Sequence, residues 1–188
     1  MKRNNSNEDE ENLVKRLRDE STCRQAFNEV IDRYTEPLYW QIRRIVGDHD
    51  DANDLLQNTF LKAWGSLENF RGDAKLSTWL YKIATNESLT FLDKEKRRQE
   101  MSIDDDESSS LAHRIEADPY FDGDDLQRKL RLAVASLPEK QRLVFNMRYF
   151  DEMKYEEISE VLGTSVGALK ASYHIAVKKI EQFIEGAD

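Results

Sequence analysis

Residues 101–126, MSIDDDESSSLAHRIEADPYFDGDDL, carry nine acidic groups and one basic group. This one stretch holds −8 of the chain's net charge of −9. Its carboxylates repel one another, and its Ser, Asp and Gly content lacks helical periodicity. A chain so interrupted is expected to fold as two bodies on a tether. The 188 residues suffice for two small domains. The expected division is 1–100, a linker 101–125, and 126–188. Outside the stretch the charge is close to balanced: residues 76–100 and 127–188 each sum to +1. The acidic total therefore does not argue against nucleic acid as a partner.

Both flanks read as helix. Only 7 Gly and 3 Pro are present, too little punctuation for a turn-rich β fold. The spacing predicts a short helix over 10–19 with Leu13 and Leu17 on one face. Ser21 or Thr22 can cap a longer one running to about Val46, which Pro37 interrupts. Gly47 stops it and Asp48 caps a third, over 49–67, whose inward stripe is Leu56, Phe60, Ala63, Trp64 and Leu67. A loop over 68–75 leads to a helix over 78–98 capped by Ser77, ending in the basic run Lys94-Glu-Lys-Arg-Arg98. Beyond the linker, helices are expected over 126–136, 139–149, 155–162 and from 165 or 166 to 184. The fold class is all-α: two small helical domains joined by an acidic flexible linker. Each core would be marginal by itself.

Residues 155–173, YEEISEVLGTSVGALKASY, are the most specific local signal. Ile158, Val161 and Leu162 form an inward stripe, Gly163 permits a left-handed turn, and Ser165 can cap the next helix. Val166, Leu169, Tyr173, Ala176 and Ile180 then form a second stripe. Two helices on a short Gly-containing turn describe a helix-turn-helix. The outward face of its second helix carries Ser165, Gly167, Ala168, Lys170, Ala171, His174 and Lys178. Small residues let that helix sit deep in a major groove, and Lys170 and His174 can reach base edges or phosphates.

Residues 70–86, FRGDAKLSTWLYKIATN, mix aromatic, basic and small polar groups. That composition suits single-stranded DNA, where bases stack on rings and cations follow phosphates. Stacking is worth about 1–3 kcal/mol per base, comparable to the cost of unstacking one. Phe70 is a candidate for base contact or core. Arg71, Lys82, Asn86, Lys94, Arg97 and Arg98 are candidate DNA contacts. Trp79, Leu80 and Ile83 read as core.

Nothing points to an enzyme. His49, His113 and His174 lie in different segments, and no nucleophile–base pair or phosphate-cradling Gly loop is visible. The cluster Asp104-Asp105-Asp106-Glu107 lacks the spacing of a calcium loop, so neither metal nor cofactor is expected. Cys23, the single cysteine, reads as a small packing residue. The N-terminus has no apolar signal-peptide core and no apolar run approaches the ~20 residues of a membrane span, so a cytoplasmic setting without membrane insertion is the expectation.

Taken together, these motifs resemble the extracytoplasmic-function (ECF) sigma factors of bacterial RNA polymerase, a compact branch of the sigma-70 family. The resemblance covers about residues 9–98 and 126–184. It rests on the order and spacing of DANDLLQNTFLKAW (51–64), Phe70-Arg-Gly72, TWLYKIA (78–84), Leu137-Pro138 and the helix-turn-helix. It implies a partnership with core RNA polymerase, through the β′ clamp helices and the β flap. Asp54, Gln57 and Asn58 would be the clamp contacts, although many relatives have an acidic residue where Asn58 stands. The part containing Phe70 and Asn86 would melt the −10 element and capture a flipped base. The helix-turn-helix would read the −35 element, and the linker would thread along the nascent-RNA path. A separate anti-sigma factor would provide control. Relatives often carry several Arg in the recognition helix where this chain has Ser172, Ile175 and Val177. Two other readings remain open at this level: a stand-alone helix-turn-helix regulator, and a sigma mimic that sequesters an anti-sigma factor.

Overall fold

The computed structural model describes residues 3–70, 72–101, 111 and 125–186. Among these, all regular structure is helical. The N-terminal part contains α1 (Arg3–Leu17), α2 (Cys23–Val46), α3 (His49–Gly65) and α4 (Leu76–Met101), with a 3₁₀ turn at Leu67–Asn69. The C-terminal part contains α5 (Asp125–Ala135), α6 (Glu139–Phe145), a wide π turn at Asn146–Phe150, α7 (Tyr155–Leu162) and α8 (Val166–Glu185). The expected linker falls almost wholly outside the described residues.

Local chemistry explains most boundaries. Gly47 takes φ +79° and its N–H donates to the Arg43 carbonyl, closing α2. Asp48 then accepts from the N–H groups of Asp50 and Asp51 and starts α3. Pro37 sits inside α2 without ending it. Three expectations need correction. Neither Ser21 nor Thr22 caps α2 with its side chain; Ser21 instead bonds to Asp19. Ser77 does not start α4, because the helix begins at Leu76, whose N–H donates to the Glu10 carboxylate at 2.9 Å. That cap comes from α1, 66 residues back in the chain. Trp64 does not join the inward stripe of α3, where Leu55, Leu56, Thr59, Phe60 and Ala63 are buried; it stays 43% exposed, with its ring against Phe27.

In the N-terminal part, α2 packs against α1, α3 and α4. Leu13, Val30, Leu38, Ile42 and Leu80 are all fully buried, each contributing about 1.5–3 kcal/mol by leaving water. One polar tie crosses this core. The buried Gln41 amide donates to Thr85 Oγ1 at 2.8 Å and to the Tyr81 carbonyl at 3.3 Å, fixing α2 against α4.

The two parts also pack on each other, although the charge pattern of the chain argues for separation. Leu143, Val144, Met147, Met153, Ile158, Val161 and Leu169 belong to the same apolar cluster as the N-terminal core. Only Ala133, Val134, Leu137, Phe145, Ala176 and Ile180 form a cluster confined to the C-terminal part. Helix α4 lies along α7, and α2 touches the π turn. Among the described residues, two ion pairs cross the seam. Lys75 donates to Glu157 at 2.7 Å, and Arg44 pairs with Asp151, whose side chain is only 3% exposed. Joining the bodies completes two cores that would be small separately.

Candidate nucleic-acid interface

The helix-turn-helix forms as its sequence indicates. Helix α7 spans Tyr155–Leu162, Gly163 takes φ +63°, and α8 starts at Val166 with Ser165 as N-cap. The Ser165 hydroxyl accepts from the Ala168 N–H at 3.4 Å. The Lys154 N–H donates to Glu157 at 2.8 Å, satisfying a free donor at the start of α7. Leu169, Ala176 and Ile180 turn inward, with Tyr173 half-buried and stacked on Phe145 at 5.8 Å. Ser165, Gly167, Ala168, Lys170, Ala171, His174 and Lys178 lie together on the outward side, all exposed. The Lys170 ammonium also lies 5.7 Å from the Tyr155 ring centre, resting its long stem across the hairpin.

On α4, Lys82, Asn86, Lys94, Arg97 and Arg98 lie on the solvent side, while Leu80, Tyr81, Ala84, Thr85 and Ser88 are buried. Arg98 pairs one turn back with Glu95 at 3.2 Å, leaving most of its side chain in solvent. Arg71 lies outside the described residues. Of the two readings open for Phe70, core or base contact, its position in the structure is that of a core residue. It is 6% exposed, with its ring centre 4.9 Å from that of Trp79. Closing the loop 66–70 onto α4 buries it, so stacking a base on Phe70 requires the ring to leave this seat.

On α3, Asp54, Gln57 and Asn58 are exposed over a buried Leu55, Leu56 and Thr59. The residues missed by sequence reasoning lie one and two turns further on. Leu61 is 69% exposed, an unusual position for a leucine, and Trp64 follows it on the same face. With Phe27, Ile31 and Phe60 they line a groove of about 550 Å³ that also includes Gln57. The i, i+4, i+7 spacing of Gln57, Leu61 and Trp64 was the available signal. Lys62, beside them, pairs at the surface with Glu87 of α4, the helix bearing Asn86.

The electrostatics of the seam are asymmetric. Burial pushes the Asp151 carboxyl up to about 6, with Arg44 opposing the shift. Burial also pushes the Glu157 carboxyl up, but Lys75 and the Lys154 N–H outweigh it and hold the group below its ordinary value. The hydrogen bond to Glu157 correspondingly raises Lys75. Among the described residues no group of side chains is arranged to hold a metal ion. No helix of the described residues is long and apolar enough to cross a membrane.

A helical body with an exposed polar and basic face, carried beside a helix-turn-helix, defines a DNA-binding transcription factor in two parts. Comparison with known proteins makes this specific. Sigma-70 region 2 matches residues 30–98, and sigma-70 region 4 matches residues 127–180. The ECF RNA polymerase sigma factor SigW of Bacillus subtilis is 30% identical over 156 residues, 79% of this chain and 83% of its own. The ECF RNA polymerase sigma-E factor of Haemophilus influenzae is 28% identical over 169 residues, 86% of this chain and 89% of its own. In fold, the chain is similar to the sigma factor RpoE of Bartonella quintana, solved in complex with the anti-sigma factor NepR. That match has a TM-score of 0.69 and 21% identity, covering 85% of this chain and 96% of that one. CnrH, solved with the cytosolic domain of CnrY, matches equally well, with a TM-score of 0.69 and 20% identity over 95% of this chain and 99% of that one. The chain belongs to the ECF branch of the sigma-70 family of RNA polymerase sigma factors. Members of that family are non-enzymatic transcription-initiation factors.

Proposed function

We propose that the chain binds core RNA polymerase through α3, holds melted −10 DNA along α4, and reads the −35 element as duplex through α8. The division of labour follows the expected domains, 1–100 and 126–188, with the linker between them. Asp54, Gln57 and Asn58 supply polar contacts to the β′ clamp helices, and Leu61 and Trp64 add an apolar anchor beside them. Asn86 and Lys82 face the displaced strand, while Lys94, Arg97 and Arg98 follow its phosphates. The exposed face of α8 enters the major groove, with Gly167, Ala168 and Ala171 allowing close approach. The C-terminal part also meets the β flap. Catalysis belongs to the polymerase, and the setting is cytoplasmic. Control falls to an anti-sigma factor, the kind of partner with which the Bartonella relative was solved.

What supports this reading is that Asp54, Gln57 and Asn58 on α3, Lys82, Asn86, Lys94, Arg97 and Arg98 on α4, and Gly167, Ala168, Lys170, Ala171, His174 and Lys178 on α8 are all exposed, while Phe70 of the expected −10 set is buried. Fluorescence-detected promoter opening with core polymerase tests the assignment: Asn86→Ala slows opening and leaves closed-complex formation intact. Equal losses in both steps would remove Asn86 from the melting role.

A further inference from the structure

Between α2 and the α5–α6 region lies a cleft of about 380 Å³, lined also by Leu111, the one described residue of the acidic stretch 102–124. Four guanidinium groups line it, those of Arg43, Arg44, Arg131 and Arg142, and no described carboxylate does. Arg43 and Arg131 have interactions of their own, and Arg44 reaches Asp151 through one terminal nitrogen. Arg142 and Arg44 are nonetheless incompletely served, since the Nε atoms of both are buried without a hydrogen-bond partner. Burial holds the Arg142 guanidinium below its ordinary value, although Glu139 opposes the shift. A buried cation without full compensation is costly and calls for an anion.

Asn146 is the second, independent sign. Its side chain lines the same cleft and the residue is only 4% exposed, yet both its amide nitrogen and its amide oxygen lack partners. Buried amides are almost always satisfied, so an unpaired donor and acceptor side by side mark a place for a ligand that offers both. An adenine or guanine edge does so. Asn146 opens the π turn Asn146–Phe150, a wide turn of the kind often found at binding sites. Two rings complete the cleft: Trp40 on α2 and Phe150 at the end of the π turn are both partly exposed. Arg44 already lies 5.1 Å from the Phe150 ring centre.

The geometry points to this cleft as a binding site for a nucleoside polyphosphate, its phosphates held by Arg142 and Arg44, its base edge paired with Asn146 and its ring against Trp40 or Phe150. Guanidinium forks match phosphate oxygens, aromatic faces take bases, and the volume lies within the range of small-molecule sites. Because the cleft is walled by both parts of the chain, a bound nucleotide favours the docked arrangement over the separated one by mass action. The inference is independent of the transcriptional reading, since binding is measured on the free chain.

Isothermal titration of the full chain with ATP, GTP, adenosine, guanosine and sodium tripolyphosphate tests it. At least one triphosphate should bind at a single saturable site, with its parent nucleoside and tripolyphosphate each at least about tenfold weaker. Arg142→Gln, which removes one charge-assisted contact, should weaken the nucleotide about tenfold. Asn146→Ala, which leaves every cation in place, should weaken the nucleotide but not tripolyphosphate; it serves as the deciding variant if Arg142→Gln does not fold. No heat from either nucleotide at millimolar concentration would overturn the proposal. So would equal binding of tripolyphosphate and nucleotide, the mark of surface charge alone. Binding that appears only after Asp104, Asp105, Asp106 and Glu107 are neutralised would also overturn it, by showing that the chain's own carboxylates fill the cleft.

Discussion

Helices α4 and α8 both present a polar face to solvent, and they do so with different chemistry. On α4 the cations gather at one end, Lys94, Lys96, Arg97 and Arg98, two to three turns beyond Asn86. On α8 the leading turns present Gly167, Ala168 and Ala171, with Lys170 as the one cation among them and Lys178 and Lys179 further along. A cationic helix end binds phosphates at some distance and with little regard to sequence. A bare leading turn gains nothing until its backbone reaches the groove floor, and then any added bulk is felt at once. Under the proposed assignment, the contrast suits one head to grip and the other to fit.

The severest challenge to that contrast is a large anionic side chain on the bare turn. Ala168→Glu should weaken binding of the isolated −35 duplex by more than about 100-fold, through lost fit and repulsion from phosphate. The residue is exposed, so the helical circular dichroism should not change. A loss of less than about threefold in fluorescence anisotropy would mean that α8 does not enter the groove closely.

The seam decides whether the two heads are held in fixed relation. The Asp151 carboxyl, pushed up to about 6 by burial, holds a proton in the docked state that it releases when exposed near its ordinary value of 3.8. Docking therefore takes up a proton between about pH 4 and pH 6. Asp151 favours the docked state most at the acid end, and that preference is lost as pH rises through 6. The full difference is on the order of 2–3 kcal/mol, from the size of the shift. Small-angle scattering should show the chain expanding as pH rises from 5 to 7.5, and Asp151→Asn should flatten that response. A pH-independent radius of gyration in the wild-type chain would contradict the account of the seam.

A smaller effect sharpens the grip side of the comparison. Arg97→Gln with Arg98→Gln should weaken binding of single-stranded −10 DNA about tenfold and lower the salt slope by about 1.4, near 0.7 for each phosphate no longer neutralised. The −35 duplex should be unaffected, and an unchanged slope would place both side chains off the DNA path. Smallest is Gln57→Ala, expected to weaken association with core polymerase about fivefold, the value of one exposed hydrogen bond. Leu61→Ala should do more if the apolar groove is the anchor. Pull-down titrations compare the two.

How much of this could be read from the chain depended on how far apart the interacting groups lie. Helices α7 and α8 were legible almost to the residue, because Gly163 and Ser165 act on their own neighbours. Asp48 likewise announced α3. The start of α4 was not legible, since the group that caps Leu76 is Glu10, on a different helix. Helical spacing shows which residues share a stripe but not where that stripe ends. Trp64 therefore read as core and is partly exposed, while Leu61 escaped notice. Phe70 was ambiguous for a related reason: its burial depends on Trp79 across a loop. Least legible was the seam. The Arg44–Asp151 pair spans 107 positions, and the charge of the intervening segment argued for separation. Apolar surface left over on the C-terminal body, such as Met153 and Val161, joins the N-terminal core and outweighs that repulsion once the bodies meet.

Run-off transcription from a promoter library, using core polymerase with and without the purified chain, tests the central claim most directly. The chain should produce new starts at a defined promoter class, each located downstream of a paired −35-like and −10-like element. Transcripts identical in both reactions would contradict the account.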